Sequence, residues 1–272
     1  MPEKQVIDGI RKITKEQCQI YYIDYLSDAL KGKIRDQLTS ICYGSINANS
    51  GIDLYSYRAT VKEFLKRYKE NVDNRNKGMI GELLFHILMT EDDLLPASAF
   101  FNTEERSFKK GFDVVFYDDV NKAMWFAEVK SGEKQANQDT ASKAIVNLLN
   151  TAKNDLKKRL NHDNNQLWLN AINHARLAIE ETKDEKQVII NLLGKYANDA
   201  EQGSYISKDK NVILVGVLFH PLQDEINVQK IVDKHKRIRK EEIFNDLITV
   251  AIQKSTYEAV VQFLESETDY AE

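Results

Sequence analysis

The sequence is short of the residues that make disulfide frameworks, zinc clusters and linkers. Its 272 residues include two cysteines, Cys18 and Cys42, far apart and in no CxxC pair, which read as reduced, packed thiols. Five histidines form no cluster, which excludes an HNH or zinc nuclease. Three prolines and 11 glycines, with no Ser/Gly/Pro-rich tract or repeat, exclude collagen-like and low-complexity architectures. No apolar run approaches the roughly 20 residues of a spanning helix, and the opening MPEKQVIDGIRK lacks the apolar core of a signal peptide. A cytoplasmic protein with no membrane partner is expected. There is no GxxxxGK[ST] motif, since Gly32-Lys33 is followed by Ile34. ATP hydrolysis would have to come from another chain.

What is present is ordinary for a globular protein, with 42% hydrophobic and 29% charged residues. The charge of -4, from 38 basic and 42 acidic groups, at first disfavours a nucleic-acid binder. Its distribution reverses that. From Ser255 on there are five acids and no Lys or Arg, so the rest of the chain carries 38 basic against 37 acidic groups. Residues 61–78, 131–160 and 227–242 each hold six basic groups against three acids. The first two are candidates for phosphate contacts, with solvated helix faces as the plainer alternative.

The pattern predicts helices over about 56–70, 78–90, 138–161, 165–182, 186–200, 227–242 and 255–267. Short β-branched and aromatic runs at 112–118 and 124–130 around the polar loop 119–123 read as an antiparallel hairpin. The run Asn211–Phe219 is apolar throughout, the mark of a strand buried on both faces, and 247–253 is a further strand. The fold class expected is α/β, a central mixed β-sheet flanked by helices. Residues 1–50 read as strand and short-helix material, an N-terminal extension packed on or near the core, with residues 51–272 as the main domain.

Chemistry concentrates in Glu82, Asp113, Glu128 and Lys130. Glu128 and Lys130 are two apart on a strand and therefore share a face. Trp125, Phe126, Ala127 and Val129 make that strand an inner one, where an unpaired charge costs several kcal/mol. The hairpin brings Asp113 toward Glu128. Adjacent carboxylates repel unless a cation bridges them, and hard oxygen donors suit magnesium or manganese, Mg²⁺ or Mn²⁺. Lys130 is placed to hold an attacking water or to neutralise transition-state charge. Glu82 sits on the apolar helix among Ile80, Leu83, Leu84, Ile87 and Leu88, facing either solvent or the site; the site is favoured. His86, one turn on, shares that face or packs as a core histidine.

Glu82 on a helix, then Gly111-Phe112-Asp113, then Ala127-Glu128-Val129-Lys130-Ser131 resembles the active site of the PD-(D/E)xK nuclease superfamily. Phe112 stands where the family pattern has proline. More narrowly, about residues 50–270 are similar to the HamA family, nuclease subunits of bacterial Hachiman antiphage systems that work beside a superfamily 2 helicase, HamB. The resemblance implies a restriction-endonuclease-like core and a Mg²⁺-dependent deoxyribonuclease acting on DNA. It implies Asp113, Glu128 and Glu82 as metal ligands, with Lys130 assisting the water. Asp184-Glu185-Lys186 also fits (D/E)xK but lies in a polar helical stretch and reads as a solvated face. Lys77, Gln138 and Lys143 are candidate DNA contacts. A non-catalytic scaffold for a helicase, and a repair or restriction nuclease of the same superfamily, are the alternatives.

Overall fold

The apolar run Asn211–Phe219 lies inside an eight-stranded sheet, as burial of nearly every residue along it requires. The computed structural model describes residues 4–70, 75–90, 94–101, 111–161, 165–180, 184–203 and 207–269. The first half comprises β1 (Lys4–Ile7), β2 (Ile10–Lys15), β3 (Cys18–Ile23), α1 (Asp28–Tyr43), α2 (Ser45–Ala48), α3 (Tyr57–Glu70), α4 (Arg75–Met89) and β4 (Leu94–Pro96). Then come β5 (Val114–Asp118), β6 (Ala123–Glu133), α5 (Ala141–Leu160), α6 (Asn165–Ala178) and α7 (Asp184–Glu201). Last are β7 (Asn211–Phe219), α8 (Val228–Lys240), β8 (Asp246–Lys254) and α9 (Glu258–Asp269).

The strand order is β1-β2-β3-β8-β7-β6-β5-β4. The inner four, β3, β8, β7 and β6, run parallel, and the flanking pairs are antiparallel. This is the mixed sheet flanked by helices that the order of elements predicts. Side chains alternate across it. From β6, Trp125, Ala127 and Val129 join one apolar cluster with α1, α3, α4 and α9. Met124 and Phe126 join the other, with α5, α6, α7 and α8. Burying each large aliphatic side chain of β7 contributes roughly 1.5–3 kcal/mol.

Two glycines set how closely helices press on the sheet. A Cβ on Gly81 of α4 would collide with Ser131 Oγ, and one on Gly216 of β7 would meet Ile145 of α5 at 3.0 Å. Residues 1–50 supply β1–β3 to the same sheet, with β3 in register against β8 from Cys18↔Thr249 to Ile23↔Lys254. The helical part of this segment is longer than short-helix material. α1 has 16 residues because Leu30, Ile34, Leu38 and Ile41 recur at helical spacing and bury, and Ser27 Oγ caps it by accepting Leu30 N–H at 3.2 Å. Among the described residues no helix is long and apolar enough to cross a membrane.

Candidate functional site

β5 and β6 form the expected hairpin, with Val114 opposite Ala127. One step further along that register sets Asp113 against Glu128, on the α5 side of the sheet. Asp113 is held by its own hairpin, since its Oδ2 accepts the Val129 N–H at 2.8 Å. Glu128 is fully buried. A carboxylate there needs cations, and it has two. Lys130 Nζ lies 2.9 Å from Oε1, and Arg159 Nη1 lies 2.9 Å from Oε2. Lys130 also reaches Asp155 Oδ2 at 2.7 Å. The same Arg159 Nη1 donates to Gly111 O at 2.8 Å and stands 3.5 Å from Asp113 Oδ1. Both helical partners come from α5, which lies across β6 and β7 with Leu149, Ala152, Leu156 and Leu160 buried against them.

Burial, then the Asp113 charge, pushes the Glu128 carboxyl up to about 8, against the pull of Arg159 and Lys130. For Lys130, burial acts to lower the ammonium, but Glu128 and Asp155 outweigh it and raise it. The two shifts pull against each other, because a neutral Glu128 would remove the charge that raises Lys130. Lys130 and Arg159, each 2.9 Å from one oxygen of Glu128, oppose the rise of its carboxyl without cancelling it.

The structure thus brings Asp113, Glu128 and Lys130 together, and it does not bring Glu82 to them. α4 packs on the opposite face, where a Cβ on Gly81 points at Ser131 and Val217. Glu82 is half-buried on that side of the sheet. Its charge acts on Cys42 of α1, whose thiol is raised well above its ordinary value by burial first, with Arg67 opposing and Glu82 adding. His86 is buried on the same layer, its ring tilted against Phe116 at 6.5 Å. Among the described residues no group of three or more His, Cys, Asp or Glu side chains is arranged to hold a metal.

The three candidate DNA contacts also stand apart from the carboxylates. Lys77 pairs with Glu133 and lies over the Tyr257 ring at 5.5 Å. Gln138 Oε1 accepts the Gln135 N–H at 2.8 Å, and Lys143 pairs with Asp139 at 3.3 Å, both at the entrance to α5. Twelve residues of helix separate Lys143 from Asp155, about 18 Å. Asp184-Glu185-Lys186 lies at the start of α7, well away in the chain from β6.

Asp155 and Arg159 escape a motif-based reading because they stand outside the ExK triplet, in a segment read as a basic helix face. Their signal was the four-residue spacing beside the apolar stripe, which places both on one edge of α5. Whether the cluster suits a divalent cation is answered by Arg159 itself. One cationic nitrogen sits among two carboxylates and a carbonyl, an all-oxygen surround of the kind hard ions take. Asp113 and Glu128 thus offer oxygen donors of the kind such an ion takes, and Glu82 does not join them.

Fold and cluster define the class: an α/β protein whose mixed sheet carries a buried, carboxylate-rich ionic cluster on one face of an inner strand. A family model described as HamA matches residues 3–265, and the chain belongs to the HamA family, that of the Hachiman antiviral defence proteins. Comparison with the curated proteins returns no match. The family match extends the similarity, first seen over about residues 50–270, to the N-terminal strands.

Proposed function

We propose that this chain is the nuclease of a Hachiman defence complex, hydrolysing DNA phosphodiesters with Mg²⁺ or Mn²⁺ beside a superfamily 2 helicase partner. The observation that carries the reading is the convergence of Asp113 and Glu128 on a single cationic nitrogen, with Lys130 2.9 Å from the second oxygen of Glu128. Asp113 and Glu128 would hold the cation. When bound, it would supply a Lewis acid for a phosphoryl oxygen and an acidified water. The chain's own residues do the rest. The Val129 N–H fixes the rotamer of Asp113. Burial of Glu128 keeps bulk water off one side of the site. Lys130, held between Glu128 and Asp155, orients a water or offsets charge as the phosphoryl group is attacked.

The test is plasmid cleavage by the purified full chain in Mg²⁺, with and without the helicase partner. Cleavage that persists in a Glu128→Ala, Lys130→Ala double mutant sinks the assignment. A second reading, a non-catalytic scaffold that binds and regulates the helicase, is favoured by one fact: both carboxylates already have cationic partners from the protein. Absence of cleavage in Mg²⁺ even with the helicase partner and DNA present would select it.

A further inference from the structure

Arg159 is an unusual partner for two carboxylates. An arginine that serves an ion pair typically offers its planar fork, two parallel N–H groups to two oxygens. Here one nitrogen, Nη1, reaches Gly111 O, Glu128 Oε2 and Asp113 Oδ1 together. Its position is also asymmetric: Glu128 is fully buried, whereas the Arg159 side chain is 35% exposed in the last turn of α5 and has a path to solvent. Lys130, by contrast, is tied on both sides, to Glu128 and to Asp155.

We infer that Arg159 is the resident cation of the resting site, occupying the place a divalent ion takes, so that loading the site requires its guanidinium to leave. The inference rests on the metal-site reading above and adds its regulation. Until Arg159 is released, both carboxylates already face a cation and the site has little call for Mg²⁺. An event that draws the guanidinium away, such as a DNA phosphate presented beside α5, opens the oxygen set. The same phosphate would then hold the arginine outside it. A guanidinium and a divalent cation cannot share the point between Asp113 and Glu128, since both are positive and draw on the same two carboxylate oxygens.

The test measures Mn²⁺ binding by calorimetry to the full chain, comparing wild type, Arg159→Gln, Asp113→Asn and the double variant. Removing a group that supports metal ligands weakens affinity by about 10–100-fold. Removing a competitor acts with the opposite sign. The expected result is that Arg159→Gln binds Mn²⁺ about tenfold or more tightly than wild type and that adding Asp113→Asn abolishes the gain. Equal binding by wild type and Arg159→Gln, lost in both with Asp113→Asn, leaves the metal site standing and overturns the exchange. Weaker binding by Arg159→Gln overturns it too. No Asp113-dependent binding in any variant removes the metal-site reading and this inference with it. If Arg159→Gln fails to fold, the wild type decides through the arginine side-chain Nε–Hε signals. Saturating Mg²⁺ is expected to shift the Arg159 signal and speed its exchange with water, and an unmoved signal overturns the proposal.

Discussion

Toward α4, strand β6 presents Trp125, Ala127, Val129 and Ser131; toward α5 it presents Met124, Phe126, Glu128 and Lys130. The first face is governed by volume. Gly81 lies so close over Ser131 that no side chain fits between them. The second face is apolar only at its start, where Phe126 packs against Phe112 and Trp168 at 4.6 and 5.5 Å, and then turns ionic. One strand thus separates a layer that stabilises from a layer that holds charges where burial opposes them. Substitutions on the two faces should fail in different ways.

The largest effect expected is on activity. Glu128→Gln should lower Mg²⁺-dependent cleavage on the order of 10²–10³-fold, as loss of a transition-state electrostatic group does. Its urea midpoint should not fall, since a buried charge is replaced by a neutral isostere while Lys130 and Arg159 keep Asp155 and Asp113 as partners. A loss of several kcal/mol in that melt would place Glu128 with the packing layer and break the comparison.

Gly81→Ala is the counterpart on the other face. Overpacking there should destabilise the fold by about 1–3 kcal/mol in urea unfolding, and Ser131→Gly in the same chain should recover most of it. Full additivity of the two substitutions would mean that they do not meet.

A smaller effect separates the faces by pH. His235 of α8, on the α5 side, is buried and bonded to Thr249 Oγ1 at 3.0 Å. Burial first, and Arg239 next, lower its pKa from the ordinary 6.5. The unfolded chain then binds the extra proton and the folded one does not. Stability should therefore decline as pH falls below about 6.5, and His235→Gln should flatten that part of the profile. An unchanged slope in thermal melts from pH 7 to 5 would rule the linkage out. Smallest of all, Glu82→Gln should change Mn²⁺ affinity by no more than about twofold, the scale of coupling between separate sites. A loss matching that of Asp113→Asn would mean that Glu82 reaches across the sheet after all.

Periodicity made β7, the β5–β6 hairpin and α5 legible, because each is a long run with one pattern. Asp113 followed from strand pairing, a local rule. Glu82 was placed wrongly with respect to the carboxylates because helical periodicity tells which residues share a stripe, not which side of a sheet the helix will cover. That side is fixed by the contact of Gly81 with Ser131, a pair 50 residues apart. Asp155 and Arg159 were hidden for the converse reason, since their partners lie on β6 and before β5. The pairing of β3 with β8 has no local signal whatever.

That pairing has a consequence for how the chain is made. β3 ends at Ile23 and its neighbour β8 begins at Asp246, so more than 200 residues must leave the ribosome before β3 gains its second neighbour. At about 5–20 residues per second this takes on the order of ten seconds or more. Meanwhile the meander β1–β3 and α1 carry an unpaired strand edge and an uncovered apolar stripe. For that interval the open edge of β3 is a template on which another chain could pair.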